Sequence, residues 1–168
     1  MIYTSMYKTP DGFDDIVMKS DGDCLTGLWF DGTRDCDKYI SGNIAYELPV
    51  FKETSRWLDC YFGGRQPEYK PQYIIENPTP FKKEILNIVS GIPFGKTVTY
   101  GDIAAIIAQN HGIAKMSVQA VGGAIGWNPI CIIIPCHRVI GANNKLTGYG
   151  GGLMNKKALL RLEGICLG

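Results

Sequence analysis

The chain has 168 residues and 45% hydrophobic content, which is enough for one large domain or two small ones with packed cores. No apolar stretch approaches the roughly 20 residues of a membrane-spanning helix, and the N-terminus lacks a secretory signal, so we expect a cytoplasmic protein without a membrane partner. Six cysteines without a CxxC pair and two distant histidines give no indication of a disulfide framework or a zinc site. We therefore predict no metal and no cofactor.

The formal net charge of +1 is divided unevenly along the chain. Residues 1–79 contain 8 Lys and Arg against 13 Asp and Glu, whereas residues 80–168 contain 9 against 3. A basic half is typical of proteins that bind polyanions, but it is also found as an ordinary solvated surface. Charge alone therefore leaves nucleic-acid binding and a solvated surface equally open.

The N-terminal part predicts a small α/β unit. The segment "CLTGLWFDG" (24–32) alternates around apolar residues and ends in Asp-Gly, which is typical of a strand followed by a turn. The segment "LPVFKETSRWLDCYFGG" (48–64) predicts a helix that ends at Gly63 and Gly64. Its apolar residues at helical spacing are Val50, Phe51, Trp57, Leu58 and Tyr61. Four prolines in residues 66–80 indicate a connector or edge strand, and we place a domain boundary after residue 76.

Three helices are predicted beyond this connector. The first begins at Thr79 and Pro80 and ends at Gly91. The second begins at Thr99, with Asp102 placed for a capping box, and ends at Gly112; the third begins at Ser117. Two short helices joined by a short loop in a basic region are typical of a helix-turn-helix, although such pairs also occur in proteins that bind nothing.

Small residues are concentrated in the third predicted helix, at Ala120, Gly122, Gly123, Ala124 and Gly126. Glycine is less favourable than alanine in a helix by about 1 kcal/mol, so this composition needs a reason. Tight packing against another helix is one, and close approach of a ligand backbone is the other. A helix that contacts bases in the major groove usually carries Arg, Asn or Gln at several positions. The smooth surface therefore favours a narrower groove.

A reactive cysteine is indicated by "IIIPCHRVIG" (132–141). Residues 132–134 predict a buried strand that ends at Pro135, which leaves Cys136 where ordered structure turns. A thiolate near neutral pH needs a base or a positive neighbour, and His137 and Arg138 follow directly. Adjacent side chains diverge on regular structure, so we expect His137 to act through a water or through turn geometry. The alternative is a buried, inert thiol.

A base of this kind also needs a carboxylate that orients it. In the basic half, only Glu84, Asp102 and Glu163 are available. Glu163 ends the helix predicted from "MNKKALLRLEG", where a negative charge meets the unfavourable end of the helix dipole. An ordinary exposed glutamate is the alternative at that position.

The segments "NPICIIIPCHRVIG" and "LTGYGGGLMNKKALLRLEG" closely resemble the active-site region of the O6-alkylguanine-DNA alkyltransferases, the methylated-DNA–protein-cysteine methyltransferase family. The resemblance extends through "IPFGKTVTYGDIA" and "QAVGGAIGWNP" and covers residues 79–164, while "LDCYFGGR" is similar to the family's more variable N-terminal domain. It implies an α/β, ribonuclease-H-like N-terminal domain (1–76). A mainly α C-terminal domain with a winged helix-turn-helix (77–168) would carry DNA binding and alkyl transfer.

The resemblance implies direct-reversal DNA repair. The alkyl group of O6-alkylguanine, with O4-alkylthymine as a further candidate, would pass irreversibly from a flipped-out base to the protein. The partner would be double-stranded DNA bound through its minor groove, and the protein would be a monomer that acts once without a cofactor. Two alternatives remain: a non-catalytic protein that binds alkylated DNA, and a Cys-His hydrolase that turns over many times.

Residue roles are also implied by the resemblance. Cys136 matches the alkyl acceptor, His137 the water-bridging histidine and Glu163 its carboxylate, while Tyr100 completes the catalytic set. The implied substrate pocket consists of Tyr100, Ile125, Val139, Tyr149, Gly150 and Gly151. The implied DNA-binding and base-flipping residues are Lys115, Gln119, Ala120, Gly122, Ala124, Asn128 and Arg138, of which Asn128 matches an asparagine that braces the helix-turn-helix against the active-site loop.

One position departs from the family pattern. Gln119 aligns with the arginine that fills the gap left by the flipped base, and the preceding connection "AQNHGIAKMS" is longer than usual. Glutamine fills space and forms hydrogen bonds, but it lacks the charge and the stacking guanidinium plane of arginine. We therefore predict weaker base flipping or DNA affinity than an arginine would give, with Lys115 as a candidate for compensation.

Overall fold

The computed structural model describes residues 1–33, 36 and 42–167, and its N-terminal part is built on a four-stranded sheet. Strands β1 (Tyr3–Tyr7), β2 (Ile16–Ser20) and β3 (Leu25–Phe30) pair antiparallel in chain order, and β4 (Asn43–Ile44) lies parallel beside β1. The order is β3-β2-β1-β4. Strands β2 and β3 are buried along their whole length, so they form the centre of this part of the core.

Helix α1 (Pro49–Phe62) packs its apolar face into the same core. The residues that the sequence placed at helical spacing are all buried, which confirms the predicted helix. Trp57 and Tyr61 stack at 5.6 Å between ring centroids, one turn apart. The helix ends at Gly63, and Gly64 adopts a positive φ of 87° that few other residues tolerate.

The proline-rich segment after α1 pairs with the first residue of β3, where Tyr73 and Leu25 form an isolated parallel bridge. The Leu25 amide donates to the Gln72 carbonyl at 2.9 Å, and the Ile74 amide donates to the Leu25 carbonyl at 2.8 Å. The segment therefore pairs with the edge of β3 at this position, while the domain boundary after residue 76 stays a prediction.

Four helices follow: α2 (Pro80–Ser90), α3 (Tyr100–Asn110), α4 (Val118–Gly126) and α5 (Leu153–Leu162). The first three pack against one another. Each of the three begins with its predicted N-cap, because Thr79, Thr99 and Ser117 accept hydrogen bonds from the backbone of the first turn. Thr99 and Asp102 form a complete capping box.

A short parallel pair joins these helices to the cysteine segment. Strand β5 (Val98–Thr99) pairs with β6 (Val139–Ile140), which directly follows a 3-10 turn at Cys136–Arg138. Because β5 leads directly into α3, this pairing places the first residue of α3 next to the cysteine turn. Among the residues described above, no helix is long and apolar enough to cross a membrane.

The predicted strand at residues 132–134 is wrong. These isoleucines are buried, but the chain turns there, with Ile132 at a φ of 72°. The Ile133 amide donates to the Cys131 carbonyl at 2.8 Å, and the Ile134 amide to the Ile130 carbonyl at 3.1 Å. The Asn128 side chain donates to the Ile134 carbonyl and accepts from the Ile130 amide, so it satisfies backbone groups that a neighbouring strand would otherwise satisfy. A left-handed, β-branched residue is strained, and these contacts hold it.

Thr99→Ala should lower the free energy of unfolding by about 1 kcal/mol, because it removes the side-chain acceptor of the capping box. Urea denaturation measures this loss, and Thr99→Ser, which keeps the hydroxyl, is the matched control. If the alanine variant unfolds at the same urea concentration as the wild type, the capping box does not stabilise α3.

Candidate active site

Cys136 begins the 3-10 turn and is 5% exposed. Its amide donates to the Ile134 carbonyl at 2.8 Å, and its sulfur accepts a hydrogen bond from Asn128 Nδ2 at 3.1 Å. The side chain faces a small cavity, whose other lining residues are Ile125, Gly126, Asn128, Cys131, Gly148, Tyr149 and Gly150. Ile125, Tyr149 and Gly150 were expected in this pocket from the sequence.

A second, larger cavity lies elsewhere, against the other side of the segment that carries Cys136. It is lined by Trp57, Lys70, Phe94 and Arg138, among others, and Cys136 is not part of its lining. The chemistry is therefore assigned to the smaller cavity. Within the described part of the chain, no three His, Cys, Asp or Glu side chains are grouped to hold a metal ion.

His137 and Glu163 form a buried pair. His137 Nε2 lies 2.6 Å from Glu163 Oε2, and both side chains are fully buried. Because a carboxylate only accepts hydrogen bonds, Nε2 carries the proton and the Nδ1 lone pair is left available. Nδ1 is buried and has no hydrogen-bond partner among the described residues. The alternative of an ordinary exposed glutamate at position 163 is therefore excluded.

The protonation states suit a base and its orienting carboxylate. Burial alone would raise the pKa of Glu163, but hydrogen bonds from His137, the Gly95 amide and Tyr61 lower it to about 2. Burial lowers the pKa of His137 below its usual value and outweighs the opposing effect of Glu163. At neutral pH the pair therefore consists of a neutral imidazole and a carboxylate, which is the state that a general base requires.

The Cys136 thiol also favours its ionised form. A hydrogen bond from Cys131 lowers the pKa of Cys136, burial raises it, and the Asn128 hydrogen bond and the Lys156 charge lower it further. The net direction is downward. A buried thiol without such neighbours would shift in the opposite direction, so the alternative of an inert cysteine loses its support.

Tyr61 is a site residue that the sequence did not reveal. Its hydroxyl donates to Glu163 Oε2 at 2.6 Å and lies 3.3 Å from His137 Nε2. It belongs to the apolar face of α1, where the pattern predicted only core packing. The acidic N-terminal part of the chain therefore supplies a group to this site.

Arg138 belongs to the same network, which contradicts its expected DNA contact. The side chain is buried, with Nε donating to Glu163 Oε1 at 2.8 Å and Nη1 donating to the Ile92 carbonyl at 2.7 Å. A third donor, Nη2, reaches Gln66 Oε1 at 3.3 Å. With its donors occupied inside the protein, Arg138 neutralises the Glu163 carboxylate.

Lys156 is a second residue that the sequence did not reveal. The side chain is buried, and Nζ donates to the carbonyls of Val139 at 2.6 Å and Thr147 at 3.2 Å. Burial lowers its pKa to about 8, and the nearby Cys136 opposes that shift. The only sign of this burial in the sequence was the position of Lys156 on the same face of α5 as Leu159 and Leu160. Val139 lies beside the cysteine turn, and its carbonyl oxygen is bound to Lys156.

The loop before α5 contributes Gly148, Tyr149 and Gly150 to the lining of the small cavity. The Tyr100 hydroxyl, at the start of α3, donates to the carbonyls of Thr147 and Gly148 at 3.3 Å each. The Tyr149 hydroxyl is buried without a hydrogen-bond partner of ordinary geometry among the described residues, and it lies near both Cys131 and Cys136. Gly151 is packed so tightly that a Cβ atom added to it would lie 2.5 Å from the Tyr149 ring. Only glycine fits there.

Helix α4 presents a smooth exposed face, but not the one expected. Gln119, Ala120, Gly123 and Gly126 are exposed, and a Cβ on either glycine would meet open space. Lys115, in the preceding loop, is exposed as well. Gly122 lies half-buried next to the Tyr100 ring.

Two residues expected to contact DNA face inward instead. Ala124 is 3% exposed and packs in the core, because it falls on the inner side of α4 with Val121 and Ile125. Asn128 is 4% exposed, and its side chain is used by the turn that carries Cys136. The bracing role expected for Asn128 agrees with these contacts, and a direct contact with DNA does not.

Comparison with known proteins gives a consistent result. Residues 80–165 match the family described as 6-O-methylguanine DNA methyltransferase, DNA binding domain. A Methanosarcina acetivorans protein named methylated-DNA–protein-cysteine methyltransferase is 50% identical over 136 residues, covering 76% of this chain and 83% of the relative. A Haemophilus influenzae protein of the same name is 35% identical over 164 residues, covering 98% and 87%. The crystal structure of Mycobacterium tuberculosis OGT in complex with DNA superimposes with a TM-score of 0.77 at 33% identity, covering 96% and 92%.

Tyr61→Phe should lower the free energy of unfolding at pH 7 by about 1.5–3 kcal/mol, because a buried carboxylate loses a hydrogen bond. The folded-state pKa of Glu163, about 2, lies below its ordinary 4.5, so the ionised form contributes stability that is lost as the pH falls through this range. Without Tyr61 the folded-state pKa rises, so the difference between variant and wild type should narrow below pH 4.5.

Urea denaturation at a series of pH values measures both effects. Tyr69→Phe is the matched control, because the Tyr69 hydroxyl makes only an exposed 3.5 Å contact with the Glu53 carbonyl. Equal stability of the two variants at pH 7 would show that the Tyr61 hydroxyl does not support Glu163.

Proposed function

This chain belongs to the methylated-DNA–protein-cysteine methyltransferase family, and we propose that it repairs DNA by direct reversal, with Cys136 as the alkyl acceptor. The substrate is O6-alkylguanine in double-stranded DNA. The observation that carries this proposal is the buried series Cys136, His137 and Glu163, in which a thiol of lowered pKa is followed by a neutral imidazole and a carboxylate.

The proton of Cys136 leaves first. His137 Nδ1 is the acceptor through one bridging water, and Glu163 stabilises the imidazolium that forms. The thiolate sulfur then attacks the alkyl carbon, so an S–C bond forms while the C–O6 bond breaks and its electron pair passes to the guanine. Tyr100 donates toward the base as that negative charge develops. Because the resulting thioether is not hydrolysed, each molecule acts once.

DNA binding through the minor groove is supported by the shape of α4 and by the charge of the C-terminal half. A minor groove only about 6 Å wide admits a helix face without side chains more easily than a bulky one. The exposed surface of Ala120, Gly123 and Gly126 meets that requirement. A base must leave the stack to reach a buried sulfur, and Gln119, at the exposed start of α4, would fill the gap.

Several finer features complete the proposal. The order β3-β2-β1-β4 followed by α1 supports a ribonuclease-H-like N-terminal domain (1–76), and the pair α3 and α4 supports a winged helix-turn-helix in residues 77–168. We take the protein to act as a cytoplasmic monomer, and O4-alkylthymine to be a second substrate. Tyr149, Gly150 and Gly151 belong to the loop that covers the substrate, beside Ile125 and Val139.

The site gives the two alternatives less support. A protein that only binds alkylated DNA has no use for a thiol of lowered pKa beside a neutral imidazole and an ionised glutamate. A Cys-His hydrolase needs an oxyanion hole and multiple turnovers. Repeated hydrolysis of an ester or amide would support that hydrolase.

Incubation with duplex DNA that contains one O6-methylguanine should add a single methyl group to Cys136, in equal amount to the adduct lost. Intact-mass and peptide mass spectrometry measure the transfer. Cys136→Ala should abolish it, and Cys166→Ala, which changes an exposed cysteine outside the site, should leave it unchanged. If the wild-type protein binds this DNA but leaves it methylated, its function is recognition of the damage without repair.

Gln119→Arg should strengthen DNA binding and speed repair several-fold, because arginine adds a charge and a stacking plane at the position that fills the gap. If the new side chain contacts a phosphate, the slope of log affinity against log salt should become steeper by about 1. Gln109→Arg adds the same charge at an exposed position on α3 and is the control. No gain in affinity or in rate for Gln119→Arg would refute this role.

A further inference from the structure

The larger cavity, against the other side of the segment that carries Cys136, has the size of a small-molecule site, and the proposed chemistry does not use it. Its volume is about 370 Å³, within the range of ligand pockets. Gln66, Lys70 and Gly91 belong to its lining and are exposed, so the cavity is open to solvent at this rim. A molecule from solution can therefore enter it without passing the small cavity at Cys136.

The walls of this cavity are apolar and partly aromatic. Phe94 lies against the guanidinium of Arg138, with 5.7 Å between its ring centroid and Cζ. The Trp57 indole N–H donates to the Tyr69 carbonyl at 2.8 Å, so this side chain offers ring surface and no free donor. The buried apolar residues of the lining are Trp57, Ile92, Ile132 and Ile133. Such walls favour a ligand with a flat apolar body.

Arg138 directs the end of its guanidinium toward the cavity. Nη1 donates to the Ile92 carbonyl and Nη2 to Gln66 Oε1, and both of these residues line the cavity, whereas Glu163, the partner of Nε, does not. These bonds use one N–H of each nitrogen, so Nη1 and Nη2 each keep a second N–H that makes no hydrogen bond with a described residue. Because the side chain is only 6% exposed, the cavity is where an acceptor for these groups can bind.

The charges around the cavity match a single negative charge. Arg138 is already paired with Glu163, but the Lys70 side chain has no ion pair with a described residue. The described residues that line the cavity include no Asp or Glu. A ligand with one negative charge would therefore balance Lys70 and supply the acceptor that Arg138 lacks.

We propose that this cavity binds a small monoanion with a flat apolar body, of the class of the aromatic carboxylates. The carboxylate accepts from the remaining N–H groups of Arg138 and pairs with Lys70, and the ring lies against Trp57 and Phe94. The inference does not depend on alkyl transfer, because neither Cys136 nor its base takes part in this binding.

The probe is β-naphthoate, and β-naphthamide, which has the same shape without the charge, is the matched control. Isothermal titration calorimetry on the full chain measures both affinities. The carboxylate should bind roughly tenfold more tightly than the amide, as expected for hydrogen bonds from a charged donor to a charged acceptor.

The indole N–H signals in two-dimensional NMR spectra locate the site, with the Trp57 signal assigned through Trp57→Phe. β-Naphthoate should shift the Trp57 signal and leave those of Trp29 and Trp127 in place, because these two residues line a different cavity. The three tryptophans therefore provide an internal control for the position of the ligand.

Lys70→Met should weaken binding of β-naphthoate about two- to fivefold, because it removes one exposed ion pair and keeps the apolar stem. Lys83→Met, at an exposed position outside the cavity, is the control and should bind like the wild type.

Any of three results would overturn the proposal. Equal affinity for the carboxylate and the amide would show that the cations do not recognise the ligand. A shift of the Trp29 or Trp127 signal in place of the Trp57 signal would put the ligand elsewhere. Equal binding by Lys70→Met and Lys83→Met would remove the charge that selects a monoanion.

Discussion

The burial of the Glu163 carboxylate is the constraint on which the rest of the site depends. A buried charge costs several kcal/mol unless it is paired and hydrogen-bonded. Here Tyr61, His137, Arg138 and the Gly95 amide all donate to the two carboxylate oxygens. These groups come from α1, the 3-10 turn and the loop before β5, so a single carboxylate at the end of α5 fixes the relative positions of separate segments.

The same network explains why His137 remains a base. A histidine next to an unpaired buried carboxylate would be held as an imidazolium, which has no lone pair to accept a proton. Arg138 supplies the compensating charge to Glu163, and its own charge opposes protonation of His137. Burial acts in the same direction. Arg138 therefore affects the chemistry through its charge inside the protein, although the family resemblance implied a DNA-binding role for it.

How much of this was predictable depends on which interaction decides each feature. The N-caps at Thr79, Thr99 and Ser117 and the apolar face of α1 were predictable because they are local. The strand predicted at residues 132–134 was wrong because Asn128 satisfies the backbone of that segment from outside it. The small residues of α4 did not reveal which side faces the core, and Ala124 proved to be buried. Tyr61 and Lys156 follow apolar spacing, so the pattern could not separate them from core residues.

The N-terminal part of the chain takes a larger share in the site than its looser resemblance to the family suggested. Besides the Tyr61 hydrogen bond, the Asp14 amide donates to Asn155 Oδ1 at 3.1 Å, and Asn155 Nδ2 donates back to the Asp14 carboxylate at 2.9 Å. The Phe30 ring packs against Gly151. These contacts reach the loop before α5 and both ends of α5, and they leave the exposed face of α4 uncovered. The acidic half of the chain therefore supports the active site through these contacts. In the basic half, the smooth face of α4 stays exposed to a polyanion.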